Sequence, residues 1–193
     1  TAPAGVSPSQ IKTFIQNIWD SSTEENPAPS YLLIVGDTPQ IPANTGITDP
    51  SHVTDLHYVR LQGTDYMPEM YFGRFSATTA AEVSNQVNKT LMHETYSMPS
   101  DAYLADAVMI AGADATYSPT HANGHINYGT NNYFNPAHGI NSHTYLYPAS
   151  QTSDAAIVAD VSAGVGYVNY TAHGSKTSWA DPTFTVANVN SLA

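Results

Sequence analysis

The residues best placed to do chemistry are His173 and Gly174, where the apolar part of YVNYTAHGSKTSWADP (167–182) gives way to small polar residues. An imidazole moves protons near neutral pH. A glycine N–H, unshielded by a side chain, can approach a developing oxyanion closely. Asp114 closes the run VMIAGAD (108–114) and is a carboxylate able to fix an imidazole's tautomer and steady its cation. Set against this is a plainer reading, a histidine that only caps a strand. The chain has no cysteine, so it carries no thiol nucleophile, no disulfide and no thiolate metal site of its own.

A second grouping is the acidic turn GTDYMPE (63–69), where Asp65 and Glu69 stand four residues apart with free carbonyls between them. Hard oxygen donors on irregular backbone suit calcium, although most such turns are simply solvated. His121 and His125 have i, i+4 spacing, and His138 and His143 follow, which raises zinc. Asn123-Gly124 is expected to break the helix that would align the first pair, and no HExxH glutamate is present. These histidines therefore read as surface or hydrogen-bonded groups. Trp179 is either a packing aromatic or part of a cleft.

The elements that must position these residues follow from periodicity. SPSQIKTFIQNIWD (7–20) spaces Ile11, Phe14, Ile15 and Ile18 on one helical face behind Ser7 and Pro8. YLLIVG (31–36) reads as a strand buried on both faces, ending at Asp37. Residues 38–55 read as a long surface loop, and LHYVR (56–60) and MYFGRFS (70–76) as short strands. A helix is expected from Thr78 or Thr79, with Glu82 in capping-box position and Val83, Val87 and Leu91 on one face. DAVMIAG (106–112) repeats the buried-strand pattern, a polar stretch with one or two helical turns follows, and SHTYLY (142–147) is another strand. SDAAIVADVSAG (153–164) reads as a short helix and VGYVNYTA (165–172) as the strand that delivers His173. Strands alternating with helices argue for a mostly parallel sheet in one α/β domain, with functional groups at the carboxyl ends of strands, where Asp37, Asp114 and His173 all fall.

With 16 Asp and Glu against five Lys and Arg, the formal net charge is -11. Such a surface repels phosphate backbones and makes nucleic acid an unsuitable partner. No apolar run reaches the length of a membrane span, and no signal peptide is evident. The first residue is Thr1 rather than Met, consistent with a processed or excised piece.

Together, VNYTAHGSKTSWADP, LMHETYSMP, VMIAGAD and DYMPEMYFGRFSA resemble the catalytic domain of the gingipains, secreted cysteine peptidases of the caspase-like clan, the lysine-specific type above all. The resemblance runs from Ile11 to the end of the chain and is weakest at 38–52 and 115–140. It implies a caspase-like three-layer α/β/α sandwich with a mostly parallel central sheet. It also implies a thiolate acyl-transfer endopeptidase acting on proteins and peptides with a basic P1 residue, lysine rather than arginine. His173 matches the family's dyad histidine, Gly174 its oxyanion-hole donor, Asp114 the supporting aspartate and Thr171 a residue lining the S1 pocket. A structural calcium would use ligands matching Asp37, Asp65, the Met67 carbonyl and Glu69, with Gly63 standing where the family has a further carboxylate.

The family's cysteine falls past the position of Ala193, and a leading strand and helix fall before Thr1. Residues 1–193 are thus expected to be one peptidase domain incomplete at both ends. Its nucleophile would come from a downstream segment or a second chain, and the chain alone would be inactive. A non-catalytic binding or scaffold module with a degenerate peptidase fold is the alternative of a different class.

Overall fold

The computed structural model describes residues 5–46 and 51–192, which fall into two compact units, Thr1–Ser97 and Met98–Ala193.

In the first unit, helix α1 (Pro8–Asp20) starts at a complete capping box, Ser7 accepting from the Gln10 N–H while the Gln10 side chain accepts from the Ser7 N–H. Strand β1 (Tyr31–Val35) pairs in parallel with β4 (Tyr71–Phe75), Tyr31 opposite Tyr71 and Val35 opposite Phe75. Between them lie a two-residue antiparallel ladder, β2 (Asn44–Thr45) with β3 (Val53–Thr54), and the one-turn helix α2 (Leu56–Val59). Helix α3 (Ala80–Glu94) follows, opened by a second capping box between Thr79 and Glu82. Ile15, Ile34, Tyr58, Val59, Leu61 and Met70 form the core, with Ile11, Trp19 and Leu32 packed against it.

Three expectations change here. LHYVR is helical, because Thr54 and Asp55 start a turn: the Leu56 N–H bonds the Thr54 hydroxyl and the Tyr58 N–H the Asp55 carbonyl. Tyr58 and Val59 are consecutive and both fully buried, which a half-buried strand cannot achieve and a helical turn can. YLLIV is a strand, but it buries one face only, since Tyr31, Leu33 and Val35 alternate as exposed residues among the described part of the chain. The stretch 38–55 carries the β2–β3 ladder rather than loop alone, and residues 47–50 of it lie outside the described residues.

The second unit is built on β5 (Asp106–Ala111), flanked in parallel by β6 (Asn141–Tyr145) and β7 (Tyr167–Thr171) in the order β6-β5-β7. As the central strand, β5 is covered on both faces, and residues 107–111 are all buried. Met109 and Ala111 pack on Ala122 and Ile126, the latter in helix α4 (Asn123–Asn132). Val108 and Ile110 pack on Ile157 of helix α5 (Asp154–Ala163). The period of two along β5 thus sorts alternate side chains to opposite helical layers, giving helix, sheet and helix in this unit. Full burial of Val108, Met109 and Ile110 stabilises by about 1.5–3 kcal/mol each. A short helix, α6 (Val186–Asn190), closes the described chain.

Asn123-Gly124 does not interrupt the helix. A wide helical turn over Ser118–Ala122 runs directly into α4. The Asn123 side chain offsets its poor propensity by pairing with the Tyr147 backbone, donating to its carbonyl at 2.9 Å and accepting from its N–H at 3.0 Å.

Candidate active site

The parallel register places the ends of β5 and β7 side by side, with Ala111 opposite Thr171. The chain leaves β5 through Gly112, whose N–H donates to the Thr171 carbonyl at 3.1 Å, and reaches Asp114 two residues later. It leaves β7 through Ala172 and reaches His173. Each catalytic candidate thus follows directly from a fixed strand. His173 Nε2 lies 2.9 Å from Asp114 Oδ2.

Asp114 is held from the other side as well, its Oδ1 accepting from the Thr116 N–H at 2.9 Å and the Tyr117 N–H at 3.0 Å. The Tyr117 N–H bond, the His173 contact and the Thr116 N–H bond together hold its carboxyl below the ordinary value of 3.8. An ionised Asp114 accepts hydrogen bonds only, so Nε2 carries the proton shared with it and Nδ1 is left to exchange protons. Among the described residues Nδ1 has no partner, and the His173 side chain is 76% exposed against 20% for Asp114. The Gly174 N–H likewise has no acceptor among the described residues. Its neighbours are engaged, Ser175 N–H donating to the Ser178 carbonyl and Ala180 N–H to the His173 carbonyl, in a short antiparallel contact of Gly174 with Trp179.

Thr171, the last residue of β7, turns its hydroxyl to Asn169 Oδ1 at 2.9 Å. Trp179 is packed rather than free, stacked on Tyr170 at 4.4 Å and on Phe184 at 4.8 Å.

Several supporting residues had no signal in the sequence. Ser118 and Ser150, both buried, donate their hydroxyls to the Gly112 and Ala111 carbonyls where the β5 ladder ends. A Cβ on Gly112 would stand 2.6 Å from the Asp181 carbonyl oxygen and 2.7 Å from both Ala172 and Tyr170, so this position has room only for glycine. Strand-end hydroxyls and a glycine are recognisable as a class, but their partners lie far away in sequence.

The calcium candidates all belong to the first unit. Asp37 follows β1, and its Oδ1 accepts from the Thr38 N–H. Asp65 Oδ1 accepts from the Met67 N–H, and Glu69 Oε2 from the Leu61 N–H. Gly63 has a positive φ of 64°, and Met67 is exposed. The donors are oxygens of the right kind, yet among the described residues no three His, Asp or Glu side chains are grouped so as to hold a metal ion. As placed, these carboxylates brace their own loop and do not form a cage.

Residues 2–193 match the model of peptidase family C25. The chain belongs to peptidase family C25. It is 39% identical over 191 residues to Lys-gingipain of Porphyromonas gingivalis, covering 99% of this chain and 11% of that protein. Gingipain R2 of the same organism is 29% identical over 190 residues, covering 97% of this chain and 25% of that protein. Among solved structures, one described as a protease aligns with TM-score 0.86 at 36% identity, over all of this chain and 41% of that one. The Arg-specific cysteine proteinase gingipain R aligns with TM-score 0.77 at 25% identity, over all of this chain and 43% of that one. The C25 chain thus has the caspase-like α/β fold of its structural neighbours, and it spans a tenth to a quarter of these curated relatives. Among the described residues no helix is long and apolar enough to cross a membrane.

Proposed function

We propose that this C25 chain supplies the acid–base and oxyanion-binding half of a secreted cysteine endopeptidase that cleaves proteins after basic residues, lysine by preference. The observation that carries the reading is the 2.9 Å contact of His173 with Asp114, which leaves Nδ1, like the N–H of the next residue Gly174, without a partner among the described residues. Similarity to Lys-gingipain supports the lysine preference, and Thr171 is assigned to the wall of the P1 pocket on the same ground. The thiolate comes from a segment or chain outside these 193 residues, since none of them is cysteine.

The thiolate attacks the scissile carbonyl carbon, forming the C–S bond as the carbonyl electrons move onto oxygen, where the Gly174 N–H meets them. His173, protonated on both nitrogens, gives its Nδ1 proton to the amide nitrogen as the C–N bond breaks. Nδ1 then takes a proton from water as that oxygen attacks the acyl carbon, and the C–S bond breaks to return the thiolate. Nε2–H stays on Asp114 throughout, holding the ring in one tautomer.

In the complete protein, His173→Ala is expected to lower hydrolysis of a lysyl peptide by at least about 1000-fold while leaving the circular dichroism spectrum unchanged. Equal turnover of the variant, or no hydrolysis of lysyl or arginyl peptides by the wild type, would sink the reading.

Calcium, on Asp37, Asp65, Glu69 and the carbonyls of Gly63 and Met67, is proposed on family resemblance as a structural ion. Binding would require the 63–69 turn to gather these oxygens. Calcorimetric titration of calcium into the wild type and into Asp65→Asn tests it; heat in the first and none in the second is the expected pair.

A further inference from the structure

His173 is highly exposed, and among the described residues Asp114 is the one hydrogen-bond partner of its side chain. With so little of the ring covered, its direction depends chiefly on its own backbone. That backbone is held at one atom, the His173 carbonyl, which accepts from the Tyr170 hydroxyl at 2.7 Å and the Ala180 N–H at 2.9 Å.

The same hydroxyl lies 3.4 Å from the Asp181 carbonyl, which accepts from the Ala113 N–H at 2.7 Å. Ala113 immediately precedes Asp114. Tyr170 and the Asp181 carbonyl therefore bracket the two strand ends, one bearing the imidazole and the other its carboxylate. The Tyr170 ring cannot drift. Trp179 lies flat on it, with 2° between the planes, and the absent Gly112 side chain is the space that its Cε2 fills.

We propose that Tyr170 is a positioning residue for His173, its hydroxyl setting the backbone from which the imidazole reaches Asp114. This rests on the peptidase reading above. A phenylalanine at 170 keeps the stack and removes only the donor, so the fold persists while the imidazole loses its register with Asp114.

The test uses the complete protein with its cysteine, a lysyl peptide substrate, and three forms: wild type, Tyr170→Phe, and a form with 4-aminophenylalanine at 170, which restores a donor. Expected for Tyr170→Phe are a kcat about tenfold lower, KM within about twofold, an unchanged melting temperature, and a limb of the kcat/KM profile displaced by about half a pH unit. The amino form should recover most of the loss. A kcat and pH profile equal to wild type, or a defect that merely follows a lower melting temperature, would overturn the proposal.

Should the wild type hydrolyse nothing, the peptidase reading fails by itself. The bracket is then decided by NMR titration of the His173 imidazole in wild type and Tyr170→Phe, identical curves counting against it.

Discussion

Asp114 does two jobs at once: two backbone N–H groups orient its Oδ1 while Oδ2 meets the imidazole. Asp114→Asn would present an amide that can turn its N–H₂ toward Nε2 and select the wrong tautomer. A fall in kcat of at least about 100-fold with little change in KM is expected from peptide kinetics on the complete protein. Gly112 supports the site differently. Gly112→Ala would place a methyl carbon against the Asp181 carbonyl, a backbone atom that cannot swing away, and is expected to destabilise by about 1–3 kcal/mol in urea unfolding. The placement of His173, Gly174 and Asp114 just past strand ends was legible in the sequence, because an apolar run that stops at a histidine or aspartate marks a strand end. Gly112, Ser118, Ser150 and Tyr170 were not, because each acts through a partner set by strand order and loop path, which local pattern does not encode.

Helices with explicit caps were legible in outline. Thr79 closes the capping box that its spacing to Glu82 anticipates, Ser7 caps the first helix as expected and adds a box with Gln10, and Thr79→Ala is expected to cost about 1 kcal/mol. The α2 turn was misread because five residues fit an alternating pattern and a helical turn equally well, and only the joint burial of Tyr58 and Val59 separates them. Asn123-Gly124 was misread because a pairing with Tyr147, 24 residues away, outweighs local propensity. At the edge of the three-stranded sheet, His143 on β6 lies between Asp106 on β5, at 3.3 Å, and Asp160 on α5, at 3.1 Å, tying three elements together. The Asn141 side-chain bond and then His143 hold the Asp106 carboxyl below its ordinary 3.8. A depressed carboxylate contributes stability that is present above its unfolded value and lost as pH falls through the folded one. Denaturant midpoints taken from pH 6 downward should therefore drop below about pH 4, and Asp106→Asn should flatten that drop. An unchanged slope in the variant would show the contact to be inert.

On the scale of the molecule, the α/β class and parallel pairing followed from the alternation of apolar runs and amphipathic segments, while the division at residues 97 and 98 left no mark in composition. Each unit has its own core, one gathered around Ile34 and Tyr58, the other around β5. The chain's two tryptophans are divided between them: Trp19 packs against the first core, and Trp179 lies in the aromatic stack of the second. Each unit therefore carries its own intrinsic fluorophore. With Trp19→Phe and Trp179→Phe variants, a single denaturant titration becomes two optical readings, one per unit. Coincident emission midpoints would make the pair one cooperative folding unit, and separated midpoints would show that the two units unfold independently, in the order that the two readings give.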